Sequence, residues 1–154
     1  MTLIANGDIP PTGITITNDG FFPDINTNRV RDTMRLDSAI SDARLEQATM
    51  GAMFSVNMEL KSYALEQQSN GYSNLNAVPD VNIGGTSRPV WLYQRAVFST
   101  AAAELTEHYR SYDSSGDGLD TAELLSYSID EYRRDARWAI RDLLGQSRST
   151  VDLL

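Results

Sequence analysis

The chain has no cysteine and very little lysine, and both facts restrict the chemistry and the class of protein that the sequence can encode. Without cysteine it can form no disulfide, no thiolate nucleophile and no cysteine-ligated metal site. Lys61 is the only lysine among 13 basic side chains, and the rest are arginine. Arginine is enriched at protein interfaces, where its planar guanidinium pairs with carboxylates at partly buried contacts. The basic residues therefore predict a protein that works by recognition.

Long apolar runs and an excess of positive charge are also missing. No stretch approaches the roughly 20 apolar residues that a transmembrane helix needs. Residues 1–20 lack the basic start and apolar centre of a signal peptide, so we expect assembly from the cytosol and no membrane contact. A net charge of −8 argues against wrapping nucleic acid, whose phosphates are neutralised by Lys and Arg. It is compatible with a surface past which DNA moves without sticking.

The length of 154 residues favours one domain. Apolar residues at helical spacing predict an all-α fold, a small bundle of about four helices with an extended N-terminal arm and a C-terminal tail. We expect the arm at residues 1–20, the helical domain at 21–145 and the tail at 146–154. The four helices are predicted near residues 26–36, 42–68, 89–112 and 120–144.

Several residues are expected to begin or end these helices. Asp24 is placed to cap the first helix, and Ser41 or Asp42 the second. Pro89 suits the first position of the third helix, and Gly145 ends the fourth. Between the second and third helices, residues 71–88 predict an extended loop held by Tyr72, Leu75, Val78 and Val81.

The sharpest chemical motif is the loop of residues 113–118, which begins with Asp113 and ends with Gly118. It resembles the start of an EF-hand, but position twelve is Leu124 where a bidentate glutamate is needed. A polar turn between helices is the favoured interpretation. The alternative function that this loop motivates is a calcium- or ligand-responsive helical adaptor in the host cell. His108 is the only histidine and has no obvious nucleophile beside it, so we predict no enzyme and no cofactor.

The last helix carries the strongest candidate interface. Arg133, Arg137 and Arg141 recur every four residues and form one stripe, with Trp138 next to it and Arg134 placed to pair with Asp130. A solvated face with weak local ion pairs is the simpler interpretation. However, like charges at this spacing repel unless an acidic partner relieves them, and an identical acidic subunit would supply one. Arg31 and Arg35 on the first helix complete the predicted subunit interface.

Several segments resemble the phage head completion proteins of contractile-tailed phages, with the same order and spacing from about residue 20 to the C-terminus. The segments that carry the resemblance are Phe21-Phe22-Pro23-Asp24-Ile25, Arg29-Val30-Arg31, Met34-Arg35-Leu36, Ala43-Arg44-Leu45, Asn57, Glu59-Leu60, Tyr63, Gly71-Tyr72, Val78-Pro79, Tyr93, Arg95-Ala96-Val97, Tyr109-Arg110, Ile129-Asp130-Glu131, Arg134-Asp135, Arg137-Trp138-Ala139, Gly145, Arg148 and Val151.

The resemblance implies a structural virion protein at the head–tail connector, assembled in the host cytoplasm. Such a protein forms a dodecameric ring beneath the portal protein, retains packaged DNA and provides the platform for a neck or tail completion protein. Genomic double-stranded DNA passes through its lumen without sequence-specific binding, which the acidic balance favours. The resemblance also implies that the C-terminal tail binds the portal, with Arg148, Val151, Leu153 and Leu154 as the candidate contacts.

Overall fold

Helices dominate the fold in this computed structural model, which describes residues 13–112 and 118–148. The described part contains five α-helices, one 3-10 turn and two pairs of two-residue strands. The helices are α1 (Thr27–Met34), α2 (Asp42–Glu59), α3 (Lys61–Ser69), α4 (Arg88–Tyr112) and α5 (Gly118–Leu143), and the 3-10 turn is Leu75–Ala77. The strands are β1 (Thr15–Ile16), β2 (Ile25–Asn26), β3 (Asn82–Ile83) and β4 (Thr86–Ser87). The prediction of a largely helical fold is confirmed, whereas all-α with about four helices is only approximate.

The additional helix arises because the predicted helix at 42–68 is interrupted at Leu60. There the backbone leaves the helical region, with φ −94° and ψ 6°. Hydrogen bonds continue on both sides, from the Leu60 N–H to the Val56 carbonyl (3.0 Å) and from the Ala64 N–H to the Leu60 carbonyl (2.9 Å). Leu60 itself is fully buried. No glycine or proline marks this position, so local sequence gave no signal of the break.

The helix ends follow the expected capping chemistry with two corrections. Ser41 caps α2 as predicted, since its hydroxyl accepts from the Arg44 N–H at 3.3 Å. The prediction for Asp24 was wrong, because Asn26 caps α1 and accepts from the N–H groups of Asn28 and Arg29. Helix α4 begins at Arg88, one residue before Pro89.

The end of α5 confirms the role predicted for Gly145. This glycine has φ 69°, a left-handed conformation that costs other residues strain. The turn closes when the Gln146 N–H donates to the Arg141 carbonyl at 2.8 Å, as in a Schellman motif.

Residues 71–88 are more regular than the predicted extended loop. They contain the 3-10 turn and an antiparallel hairpin of β3 and β4, in which Asn82 lies opposite Ser87. Gly84 and Gly85 both have positive φ, 60° and 77°, as a two-residue hairpin turn requires. Of the predicted anchors, Leu75 is fully buried but Val81 is exposed, because it lies at the base of the projecting hairpin.

The core lies where α4 packs against both α2 and α5. The connection at 113–117 joins one end of α4 to α5, and Arg88 at the other end acts electrostatically on Asp142 near the end of α5. The two long helices are therefore antiparallel. Most of the apolar residues whose helical spacing predicts an inward position are buried. Tyr63, Val90, Tyr132 and Leu143 are only partly buried, Tyr109 is 41% exposed, and the side chain of Leu125 lies outside the described residues. The buried ones include Leu45, Ala52, Met53, Val56, Leu60, Ala64, Tyr93, Val97, Ala101, Leu105, Ile129, Ala136 and Ile140.

The described part of the N-terminal arm lies against the helical domain. Strand β1 pairs with β2 antiparallel, with Ile16 opposite Ile25. The Thr27 N–H donates to the Ile14 carbonyl at 2.9 Å, so the strand pair leads directly into α1. The division into arm, domain and tail stays a prediction, since residues 1–12, 113–117 and 149–154 lie outside the described residues.

Candidate interaction surfaces

A closed ring of three side-chain hydrogen bonds fastens the N-terminal segment to the helices. The Asn18 Nδ2 donates to the Tyr93 hydroxyl (2.8 Å), which donates to the Asn57 Oδ1 (2.6 Å). The Asn57 Nδ2 completes the ring by donating to the Asn18 Oδ1 at 2.8 Å. Within the ring each member donates one hydrogen bond and accepts one, and the three residues come from the arm, α2 and α4. We call these residues the Asn-Asn-Tyr ring.

Aromatic packing supports this ring from the inside. Phe22 stacks on Tyr93 with centroids 4.7 Å apart, and Phe21 meets Phe22 edge-on at 5.0 Å. Burial raises the pKa of the Tyr93 hydroxyl far above its usual value, and the hydrogen bond from Asn18 only partly opposes this. The hydroxyl thus stays protonated and keeps its donor role. Phe21, Phe22, Asn57 and Tyr93 are among the residues that carry the family resemblance, and here they form one structural cluster.

A second network surrounds Trp138 near the end of α5. The guanidinium groups of Arg134 and Arg148 lie over its ring, 4.8 and 5.0 Å from the centroid. Arg148 also binds Asp142 with two donors, of which the Nε bond is 3.0 Å long. Cation–π contact and a forked ion pair together hold Arg148 against α5. Arg148 is the last described residue, and it lies within the predicted tail of residues 146–154.

The network continues across to α4 through Asp135. One carboxylate oxygen of Asp135 lies 3.4 Å from Arg134, and the other lies 3.5 Å from Arg95. Arg95 in turn lies over the ring of Trp91, 5.4 Å from its centroid. Both tryptophans of the chain therefore contact arginine at the same end of the α4–α5 pair. We call this group the arginine–tryptophan network.

The electrostatics of the network favour an ionised Asp142. The hydrogen bond from Arg148 lowers the pKa of the Asp142 carboxyl, and the positive charges of Arg148, Arg88 and Arg95 lower it further. The same pair raises the pKa of the Arg148 guanidinium. The ion pair is thus favoured at neutral pH and is lost only in acid, as Asp142 becomes protonated.

The other predicted interface residues have different surroundings. Arg31 is turned inward: its side chain is 13% exposed and donates to the carbonyls of Asp37 and Ile40 and to the Asp42 carboxylate, at 2.9 to 3.0 Å. It therefore fixes the connection between α1 and α2. Arg35 is exposed and ends α1 in a left-handed conformation.

The arginine stripe on α5 has contacts within the subunit at two of its three positions. Arg133 pairs with Glu107 on α4 at 2.6 Å, and Arg141 donates to the Ser147 carbonyl at 3.2 Å. Arg137 is exposed. Arg134 pairs with Asp135, and not with Asp130 as predicted. The subunit interface itself stays a prediction.

Sequence reasoning missed several residues that the structure brings to these surfaces. Trp91 and Arg95 are four residues apart on α4, a spacing from which their contact could have been expected. Asp135 lies on α5, so only the packing of the two helices reveals that it joins Arg95 in the network. An outward-facing row on α2 and α3, formed by Phe54, Met58 and Leu65, could have been found by asking which apolar residues lie opposite the core stripe. Each of these three side chains is more than half exposed.

A metal-binding cluster and a membrane-spanning helix are both absent from the residues that the structure describes. Within 13–112 and 118–148 there is no cluster of three or more side chains able to hold a metal ion. None of the helices in these ranges is long and apolar enough to span a bilayer. The EF-hand-like loop and the predicted tail contacts Val151, Leu153 and Leu154 lie outside the described residues.

The described residues form a helical domain that bears arginine–tryptophan contacts at one end of the α4–α5 pair and exposed apolar side chains on its surface. The sequence pattern of the phage head completion protein (GPL) family matches residues 16–154, and the chain belongs to this family. The match begins slightly before residue 20, within the predicted arm.

Two relatives support this assignment. The head completion/stabilization protein of Escherichia phage P2 is 40% identical over 145 residues, which cover 94% of this chain and 83% of that protein. The probable head completion/stabilization protein of Haemophilus phage HP1 (strain HP1c1) is 25% identical over 141 residues, covering 90% of this chain and 91% of that protein. No solved structure matches the chain.

Proposed function

We propose that this protein is a structural, non-enzymatic component of the phage virion that completes the head by forming a dodecameric ring beneath the portal protein. Membership of the head completion family over residues 16–154 carries this proposal. The ring is assembled in the host cytoplasm, retains packaged DNA and presents a platform to a neck or tail completion protein. Arg35, Arg133, Arg137, Trp138 and Arg141 are the proposed subunit contacts, whereas the bonds of Arg31 favour a role inside the subunit.

The C-terminal tail is the proposed portal-binding element. Arg148, the last described residue of the tail, is held to α5 by Asp142 and Trp138, so the described part of the tail has a defined position. The residues that follow Arg148 include Val151, Leu153 and Leu154, which are apolar and suited to a groove on another protein.

The charge of the chain suits a ring around DNA. With a net charge of −8 in each subunit, twelve copies create a strongly negative assembly. A lumen lined by carboxylates repels the phosphate backbone, so DNA passes through without adhering.

Truncation of the tail tests portal binding. The structure favours a stop directly after Arg148, because residues 146–148 take part in the end of α5 and their removal would disturb the fold. This shortened chain is expected to keep the circular dichroism spectrum and melting temperature of the full chain. It should lose binding to purified portal protein in a pull-down or by light scattering.

A matched control keeps the tail length and changes only its polar residues, Ser149→Ala and Thr150→Ala. This control is expected to bind portal normally, whereas replacing Val151, Leu153 and Leu154 with serine should abolish binding. Undiminished portal binding by the chain that ends at Arg148 would refute the role of the tail.

A further inference from the structure

An apolar groove lies between the β3–β4 hairpin and the first turns of α4. It has a volume of about 400 Å³ and is lined by Val81, Ile83, Thr86, Arg88 and Trp91. Its three apolar side chains are each at least half exposed, although such side chains gain free energy when they leave water. The volume is near the lower end of the range of about 300–1,000 Å³ for ligand-binding clefts, so the groove suits a few side chains of an extended segment.

The edge of the groove carries positive charge. Arg88 is half exposed there, and its guanidinium lies 3.6 Å from the Asp80 carboxylate, beyond hydrogen-bond distance. Arg88 and Asp80 together with the arginine–tryptophan network place four arginines against three aspartates, so positive charge is in excess. These residues are Arg88, Arg95, Arg134 and Arg148, and Asp80, Asp135 and Asp142. The groove therefore favours an occupant that is apolar and carries one carboxylate.

The register of α4 and α5 places Arg88 opposite Asp142. Arg95 on α4 lies 3.5 Å from Asp135 on α5. Arg88 is seven residues before Arg95, and Asp142 is seven residues after Asp135. Seven residues make about two helical turns, which return to nearly the same face after about 10 Å. Because the two helices are antiparallel, Arg88 and Asp142 lie side by side, in agreement with the electrostatic effect of Arg88 on that carboxyl.

The described part of the tail therefore lies beside the edge of the groove. Arg148 donates to the Asp142 carboxylate, which is the group opposite Arg88. Val151 is three residues beyond Arg148, a separation of about 10 Å in an extended chain. The residues that follow Arg148 can thus enter the groove of their own subunit without any movement of the helices.

We propose that the groove binds residues 151–153 of the same chain, with Val151 and Leu153 against its apolar wall and Asp152 beside Arg88. In an extended segment alternate side chains point to opposite faces, so Val151 and Leu153 enter together while Asp152 stays at the edge. The segment also has the required chemistry, since one carboxylate lies between two apolar side chains.

The contact has a consequence for the proposed function. Val151 and Leu153 are also proposed portal contacts, so they would have to leave the groove before they bind portal. This consequence rests on the proposed function, whereas the contact with the groove rests on the geometry alone.

Disulfide trapping in the full-length chain tests the contact, and the absence of native cysteine makes it specific. The double variant Ile83→Cys, Leu153→Cys is treated with a mild oxidant at micromolar concentration. A disulfide requires Cα atoms within about 7 Å of each other, so an intrachain disulfide should form readily. A non-reducing gel detects it as a faster-migrating monomer, and mass spectrometry identifies the linked peptides.

The matched control pairs Leu153→Cys with His108→Cys. His108 is exposed on the same helix as Trp91 and lies about 25 Å further along it. This pair should oxidise several-fold more slowly. Equal rates for the two pairs would overturn the proposal, because the tail would then show no preference for the groove.

Disulfides between two chains would also overturn the proposal. A tethered segment has an effective concentration of about 1 mM, so at micromolar protein the intrachain contact should dominate. Dimers that form faster than the intrachain disulfide would assign the groove to the tail of another copy.

Charge exchange supplies an independent measurement. Arg88→Glu, introduced into the doubly cysteine-substituted chain, should slow the intrachain disulfide several-fold, because it places an acidic edge against Asp152. Asp152→Arg, added to the same chain, should restore the rate. Failure of this rescue would refute the pairing of Asp152 with Arg88.

Portal binding tests the consequence separately. Arg88→Glu in the otherwise unaltered chain should bind purified portal protein several-fold more tightly than the wild type, because the groove no longer competes for the tail. Equal or weaker binding would show that the groove does not compete. The disulfide experiments contain no portal protein, so their failure would leave the proposed function intact, and a wild-type chain that does not bind portal would refute that function alone.

Discussion

Replacing Tyr93 with phenylalanine should destabilise the domain by about 2 kcal/mol while leaving the aromatic stack on Phe22 intact. The hydroxyl makes two hydrogen bonds, one to Asn57 and one from Asn18. Each is worth about 0.5–1.5 kcal/mol net, and each partner left without a bond costs about 1–3 kcal/mol if it stays buried. Because both asparagines are only partly buried, water can replace some of the lost contact. The expected loss of unfolding free energy therefore lies near the lower end of these ranges, at about 2 kcal/mol.

Urea denaturation followed by circular dichroism measures this loss, and the melting temperature should fall by about 4–8 °C for a chain of this size. Tyr109→Phe is the matched control, since it removes the same hydroxyl from an exposed ring and should change stability by less than about 0.5 kcal/mol. If Tyr93→Phe were as stable as the wild type, the Asn-Asn-Tyr ring would not be what fastens the N-terminal segment.

Further predictions concern pH, backbone strain and the hydrogen bonds of Arg31. Because the pKa of the Tyr93 hydroxyl is raised in the folded state, this hydroxyl loses its proton at lower pH in the unfolded state. The free energy of unfolding should therefore fall above about pH 10, and it should fall less steeply in Tyr93→Phe. Urea midpoints between pH 9 and 11 measure this difference. Gly145→Ala should cost about 1 kcal/mol of unfolding free energy through its positive φ alone, because nothing lies within 4 Å of the added methyl group, and Gly145→Asn should cost less. Arg31→Ala should cost about 2 kcal/mol, since three charge-assisted hydrogen bonds disappear, whereas a purely intersubunit role would leave the melting temperature unchanged.

The presence of the helices was predictable because apolar residues repeat at helical spacing along the chain. This periodicity does not depend on what the helices pack against. The break at Leu60 was not predictable, since it lies in a stretch of good helix formers and is set by tertiary packing. The hairpin was predictable in principle, because Gly84-Gly85 is a two-residue turn signal. Its strands are only two residues long, however, and lack the alternation that usually reveals a strand.

Some contacts of the candidate surfaces could likewise be predicted from the sequence, and others could not. The stripe of Arg133, Arg137 and Arg141 follows from spacing along one helix, so sequence alone located it. The contacts of Arg134 and Arg148 with Trp138 could be suspected because all three residues are near in sequence. Arg95 could not be connected to Asp135, because 40 residues separate them and only the antiparallel packing of α4 and α5 brings them within 3.5 Å.

Arg88 at the start of α4 acts on Asp142 near the end of α5, and the carboxylate of Asp142 holds Arg148. Arg88→Ala removes one of the positive charges that lower the pKa of the Asp142 carboxyl, so this carboxyl should titrate at higher pH in the variant than in the wild type. The ion pair between Asp142 and Arg148 would then be lost at higher pH on acidification. Carboxyl-labelled NMR of the two proteins measures the difference, and an unchanged titration of Asp142 would show that the charge of Arg88 does not act on it.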